Sequence, residues 1–207
     1  MDLSKNRKFF ELAINQEKQL DFERIFHNNN EIHLEIGSGR GEFIERISTM
    51  YSIINFLGID LKEKRIKTIL RKLDTKNHSN VRLAKIYIDE NVTKWIPESS
   101  IEKIYLMFPD PWPKKKHNRR RLINANFLNA LNKILKVNGL IEITTDHQNY
   151  AEWIIDIFKE RENFKAVFQN GFTHKIQPNH IETHFEIKKR EEGFAPIFMN
   201  YLKVREL

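Results

Sequence analysis

The sequence predicts an α/β fold: a seven-stranded, mostly parallel sheet with helices on both faces. Three observations carry this. Short apolar runs of strand length recur along the chain, stretches with helical spacing separate them, and a glycine-rich turn follows the first run at once. The 207 residues suffice for a core that needs no covalent staple, so the expected organisation is one domain over 1–207, with a helical extension at 1–30 and the core at 31–207.

The elements follow in order. Residues 1–27 mix charge with loosely helical apolar positions, and Asn28, Asn29 and Asn30 break that pattern as a loop. Residues 32–36 read as a strand, 37–41 as a glycine turn and 42–50 as a helix. A second strand is expected at 53–59, closed by Asp60, with a basic amphipathic helix over 62–76. Strands at 81–88, 101–108 and 139–144 come next, with helices at 122–136 and 150–161. Two last strands, 164–168 and 196–204, change the rhythm, with a polar loop and a helix near 185–190 between them, so this pair is expected to depart from the parallel order. Tyr150, Trp153, Ile154 and Phe158 share one helix face and read as core.

Composition narrows the chemistry. Zero cysteines exclude disulfides, thiolate zinc and a cysteine nucleophile. No apolar run approaches the roughly 18 residues of a membrane span, and the first residues lack the apolar stretch of a signal peptide, so a cytoplasmic setting is expected. His180 and His184 stand four apart, but Glu182 sits midway rather than beside either, which does not match a zincin, and no metal is expected. The net charge is +7, and removing six cations between positions 114 and 121 would leave +1. So focused an excess attracts phosphate, although a charge run can also be a solvated loop.

That cationic run belongs to the segment 108–121, FPDPWPKKKHNRRR, at the carboxyl end of an apolar strand. Prolines 109, 111 and 113 forbid helix and sheet pairing, so a stiff loop should present Asp110 and Trp112 beside the cations. Trp112 could stack on a base or plug the core. In a parallel sheet ligands bind outside the carboxyl ends of the strands, where the topology reverses, and the glycine turn lies there too. Its Gly37, Gly39 and Gly41 allow a close approach to the backbone, but the spacing is neither the dinucleotide fingerprint nor a P-loop. Asp60, 19 residues after Gly41, suits the acceptor of ribose hydroxyls and equally a helix N-cap. Glu35 sits in an apolar strand, where a carboxylate is costly unless something such as a ligand's ammonium pairs with it.

These residues carry a resemblance. Glu35 to Gly41 with Asp60 resembles the first motifs of Rossmann-like class I S-adenosylmethionine-dependent methyltransferases. FPDPWPKKKHNRRR, the run 145–153 and Thr183 to Glu186 resemble one family among them, the bacterial tRNA (guanine-N7-)-methyltransferases. The resemblance implies S-adenosyl-L-methionine as cofactor and the variable loop of tRNA as target. It implies Asp110 as catalytic, and Glu35, Gly37, Gly39, Gly41, Asp60, Tyr87 and Asp110 as the cofactor site. Substrate contacts would come from Lys114, Asp146, Thr183, His184, Phe185 and Glu186, and RNA contacts from Lys116, His117, Asn118, Arg119, Arg120 and Arg121. Tyr87 departs from the pattern, because the family usually has Asp or Asn there. Another RNA target, or a basic RNA-binding module without catalysis, are the alternatives, and neither monomer nor homodimer is specified.

Overall fold

Near-continuous apolar runs are what strands buried on both faces require, and the sheet is built from them. The computed structural model describes residues 3–206; Met1, Asp2 and Leu207, at the ends of the predicted domain, lie outside the described residues. Among the described residues the strands are β1 (Glu11–Leu12), β2 (Ile32–Ile36), β3 (Asn55–Asp60), β4 (Val81–Lys85), β5 (Ile101–Met107), β6 (Leu135–Thr145), β7 (Phe164–Ala166) and β8 (Ile197–Lys203). They form one sheet in the order β1-β4-β3-β2-β5-β6-β8-β7. Pairing is parallel from β1 to β6, whereas β8 runs antiparallel to both β6 and β7.

The sheet has eight strands where the sequence predicts seven. The extra one, β1, pairs Glu11 with Leu83 and Leu12 with Ala84, and two residues are too few to leave a period-2 signature. It separates two short helices, α1 (Leu3–Phe10) and α2 (Phe22–Phe26). The other helices are α3 (Glu42–Met50), α4 (Glu63–Leu70), α5 (Ala125–Ile134), α6 (Gln148–Lys159) and α7 (His184–Glu191).

Several predicted boundaries move for identifiable reasons. The helix expected over 62–76 stops at Leu70, and just beyond it the Asp74 carboxylate accepts from the Lys76 and Asn77 amides and holds a turn. Strand β4 ends at Lys85 rather than at 88, and Asp89 then caps a 3-10 turn over Glu90–Lys94. Strand β6 starts four residues before 139 because Leu135 already pairs with Ile101, and that shortens the helix before it.

Alternate residues of each strand feed two apolar layers. Leu34, Ile36, Leu57, Ile59, Ile104 and Leu106 face the layer that holds Phe127, Leu131, Tyr150 and Ile154 from α5 and α6. Phe56, Leu83 and Tyr105 face the other layer, with Phe43, Ile44 and Ile47 of α3 and Ile66, Ile69 and Leu70 of α4. Helix α1 joins this second layer through Phe10 and through Asn6, whose buried amide donates to the Leu70 and Leu73 carbonyls at 2.8 and 2.7 Å. The Leu70 carbonyl ends α4, where the helix itself offers no donor, and the Leu73 carbonyl lies in the turn just beyond. Asn6→Ala should therefore cost about 2 kcal/mol, read as a lower urea midpoint with an unchanged m-value.

Candidate active site at the carboxyl ends of the strands

Chain order reverses between β2 and β5, and the loops leaving these two strands diverge to open a crevice. One wall is the β2–α3 turn. Gly37 and Ser38 donate their amides to the Ile59 carbonyl at 2.8 and 2.9 Å, and Gly39 donates to Asp60 Oδ2 at 2.9 Å. The turn is thereby pinned to the end of β3. Gly41 has φ +75, and a Cβ there would lie 2.7 Å from Ile69 Cγ1, so neither conformation nor space admits another residue. Gly37 has φ +82 and nothing within 4 Å of a built Cβ, which leaves its backbone open to a ligand.

Glu35, on β2 below this turn, is 3% exposed, and its Oε2 has no hydrogen-bond partner. Burial pushes its carboxyl up to about 8; the Ser38 hydroxyl pulls the other way, and the Asp60 carboxylate adds to the rise. The Asp60 carboxylate lies at the crevice rim, where Oδ1 accepts from the Lys62 amide at 2.9 Å. With Oδ2 on Gly39, each oxygen keeps a free lone pair. The N-cap role expected of Asp60 is not taken up, because Lys62 occupies that position of α4, and Asp60 instead braces two loops. Tyr87, beyond β4 and beside Asp60 through the Ile86 amide bond to the Asp60 carbonyl, is 63% exposed, and Leu61 is 56% exposed. Two residues on, Asp89 Oδ1 accepts from the Asn91 amide at 2.9 Å and caps the 3-10 turn. A buried carboxylate without a partner, an open glycine backbone, free acceptors on Asp60 and two exposed apolar side chains fit a ligand that carries an ammonium, a ribose and a purine.

The loop after β5 forms the facing wall. The Phe108 amide donates to the Thr144 carbonyl at 2.7 Å, extending the sheet by one bond. Phe108 and Trp112 have φ +53 and +43, the left-handed region, so the chain turns sharply on either side of Asp110, which is exposed. Such conformations cost on the order of 1–3 kcal/mol each and persist where surroundings impose them. Arg121 supplies part of that restraint. It donates to the Pro111 carbonyl at 3.0 Å and to Asn149 Oδ1 at 2.7 Å, with its guanidinium 5.1 Å from the Tyr150 and Trp153 ring centroids. Burial pushes the Tyr150 phenol up to about 12, with Asp110 adding to the rise.

The placement of Arg121 corrects a sequence expectation. At 2% exposure it is a buried strut of the loop rather than an RNA-facing cation, because carbonyl, amide and ring partners meet its guanidinium inside. Lys114, Lys115, Lys116, Arg119 and Arg120 remain exposed, with His117 and Asn118 half-buried, and a 3-10 turn over Lys115–Arg120 arrays them. Trp112 is neither a free stacking surface nor a deep plug. Half-buried, it packs edge-on against His117 at 5.8 Å, with the Arg120 guanidinium 5.0 Å from its ring centroid.

The third wall comes from the 177–191 region. Thr183 caps α7 through the Glu186 amide, and the His184 amide donates to Glu42 Oε2 at 2.8 Å, tying α7 to α3. Glu186 also corrects an expectation. Fully buried, its Oε2 lies 2.7 Å from His180 Nε2 and its Oε1 takes two bonds from Arg190, so its lone pairs face the protein and not a substrate. Phe185, 45% exposed, meets Phe108 at 5.0 Å between ring centroids, and half-buried Asp146 follows β6. Sequence reasoning missed Glu42, Phe108 and Arg46, the last donating to the Glu182 carbonyl; acids and aromatics beside motifs carry no distinguishing pattern. No group of three His, Asp or Glu that could hold a metal occurs among the described residues, and no described helix is long and apolar enough to cross a membrane.

A parallel sheet with an antiparallel final pair, a glycine turn and an acid-bearing loop at its switch point define a class I methyltransferase fold. A solved antibiotic-related methyltransferase shares it, with a TM-score of 0.62 at 14% identity, covering 93% of this chain and all of that one. A family model described as a methyltransferase matches residues 29–198. The tRNA (guanine-N(7)-)-methyltransferase of Malacoplasma penetrans is 34% identical over 195 residues, 93% of this chain and 88% of that protein. That of Thermotoga maritima is 33% identical over 187 residues, 90% of this chain, which spans 58% of the Thermotoga protein's length. The chain belongs to the tRNA (guanine-N7-)-methyltransferase family.

Glu35 makes the site testable by pH. Its folded value lies above the ordinary one, so the folded state binds the proton more tightly across roughly pH 4.5 to 8 and stability falls as pH rises through that window. Glu35→Gln should gain stability over the unsubstituted protein as pH rises from about 5 to about 9, by ~2–4 kcal/mol at the upper end. Calorimetry adds an independent check. An ammonium bound beside Glu35 reverses the shift, so loading at about pH 7 should release roughly one proton, visible as a binding enthalpy that depends on the buffer.

Proposed function

We propose that this protein transfers a methyl group from S-adenosyl-L-methionine to N7 of a guanine in tRNA, forming 7-methylguanosine. One observation carries the reading: Asp110 stands on a restrained loop between the switch-point crevice and five exposed cations. When bound, S-adenosyl-L-methionine supplies an electrophilic methyl group on a sulfonium. Glu35 would hold its ammonium, Gly37, Gly39 and Gly41 would admit it to the backbone, Asp60 would accept from its ribose, and Leu61 and Tyr87 would flank its purine.

The protein's own task is then positioning and charge. Guanine N7 has an in-plane lone pair and no proton, so no general base is required, and alignment of the attacking atom is the main demand. As the new bond forms, positive charge appears on the purine. Asp110, the catalytic residue, stabilises that charge, and Asp146 adds to the field or accepts from the base edge. Thr183, His184 and Phe185 line the substrate side. Glu186 and Arg121 act at one remove, as positioning residues for α7 and the Asp110 loop.

Lys114, Lys115, Lys116, Arg119 and Arg120 meet backbone phosphates. The variable loop of tRNA suits such a site, since N7 of paired RNA lies in a deep groove that proteins read poorly. The cytoplasm suits a chain without cysteine.

The test is incubation with labelled S-adenosyl-L-methionine and unmodified tRNA, followed by aniline cleavage at 7-methylguanosine. One variable-loop cut, lowered about 100-fold or more by Asp110→Asn with tRNA and cofactor affinity intact, is the expected result. Full turnover by Asp110→Asn would refute the charge argument, and a methyl group on another atom would overturn the substrate. Affinity for tRNA should also fall with salt, by roughly 0.7 log unit per log of salt for each phosphate contact on single-stranded RNA. Replacing Lys115 and Lys116 with Ala should flatten that slope by about 1.4, whereas Arg121→Ala should instead lower the melting temperature.

A further inference from the structure

Three consecutive cations of α7 have different fates. Lys188 points to Glu192 at 3.9 Å, and Arg190 turns inward to Glu186 and Glu182. Lys189 instead turns toward Asp146 and two aromatic rings. Its ammonium lies 4.9 Å from the Phe194 ring centroid and 5.8 Å from that of Phe185, with Asp146 Oδ2 at 3.8 Å and Glu192 Oε2 at 2.8 Å. Phe194 and Phe185 are nearly half exposed, and Phe185 leans on Phe108 at the start of the Asp110 loop. Two open aromatic faces and a carboxylate around one cation are the chemistry that recognises cationic ligands.

The reading of the reaction given above, on which this inference rests, produces such a cation. Guanine enters neutral and leaves as a 7-methylguanine carrying positive charge. The geometry points to a cation seat formed by Phe185, Phe194 and Asp146, which receives the purine as it gains charge and which Lys189 fills in the free enzyme. Neutral guanine competes poorly with an ammonium for this seat, whereas the nascent cationic purine competes well. Lys189 has a second carboxylate within reach, Glu192, so it can leave without being stranded unpaired. Its return then displaces the methylated base, which makes Lys189 a positioning residue for product release rather than a catalytic one.

The experiment compares dissociation constants for one tRNA unmodified and carrying 7-methylguanosine, in the presence of S-adenosylhomocysteine. The proteins are the unsubstituted enzyme, Lys189→Met, Lys189→Arg and Phe194→Leu. Lys189→Met should shift the ratio toward methylated tRNA by about five-fold or more, with affinity for unmodified tRNA held within about two-fold. Its turnover should show a burst of one methyl group per enzyme followed by a slower steady rate, and Lys189→Arg should restore the single phase. Phe194→Leu, which keeps apolar bulk but loses the aromatic face, should move the ratio the opposite way.

Equal weakening of both tRNAs in Lys189→Met would make Lys189 a plain structural strut and overturn the inference. A changed affinity for S-adenosyl-L-methionine with an unmoved tRNA ratio would assign the seat to that cation and overturn it as well. If the unsubstituted enzyme makes no 7-methylguanosine, the reading beneath the seat falls and takes the seat with it. If the enzyme makes it and the ratio does not move, the seat alone falls.

Discussion

The three-residue ladder between β2 and β5 is the constraint on which the rest of the site depends. His33, Leu34 and Glu35 pair with Lys103, Ile104 and Tyr105, and beyond that register the two chains part. One continues into a glycine turn bound to β3, the other into a proline-rich loop bound to β6 through Phe108. A slip of β5 by one residue against β2 would exchange its two faces, expelling Ile104 from one layer and Tyr105 from the other. Apolar packing on both sides of the sheet therefore fixes where Glu35 and Asp110 stand relative to each other.

Charge is used in two distinct ways around that crevice. Glu186 and Arg121 are spent inside, each with several partners, where removing one partner would strand the other groups. Glu35 is the reverse case, a buried carboxylate whose environment supplies a polar neighbour but no cation. The interior thus braces loops with paired groups such as Glu186 and Arg121, while Glu35 Oε2 stays without a partner where a ligand's charge can answer it. The exposed lysines and arginines after Pro113 belong to neither class, since solvent screens them until a polyanion arrives.

The parallel core was legible because strands buried on both faces write short, mostly apolar runs, as Phe56 to Ile59 does and as Ile32 to Ile36 does apart from His33 and Glu35. The antiparallel final pair was legible too, from the changed rhythm after residue 161. Strand β1 was not, since its pairing with β4 is a tertiary event that two residues cannot announce. Within the site, the residue types named the loops but not the direction of each side chain. Arg120 and Arg121 are identical neighbours, yet one is exposed and the other 2% exposed, and what separates them is the presence of Asn149 and Pro111 within reach of the second. Glu186 likewise reads as an ordinary helix acid until His180 and Arg190 close around it.

The two ends of the sheet carry a consequence for the protein's behaviour in a crowded cell. An open sheet exposes a row of unpaired amides and carbonyls along each outermost strand, and a long flat edge recruits strands from other molecules. Here the outermost strands are β1, with two residues, and β7, with three. The longer strands lie between them, with β1 covering β4 at Leu83 and Ala84 and β7 covering β8 at Tyr201, Leu202 and Lys203. The outermost strands themselves thus offer an incoming strand almost no template, and their brevity limits edge-to-edge pairing there.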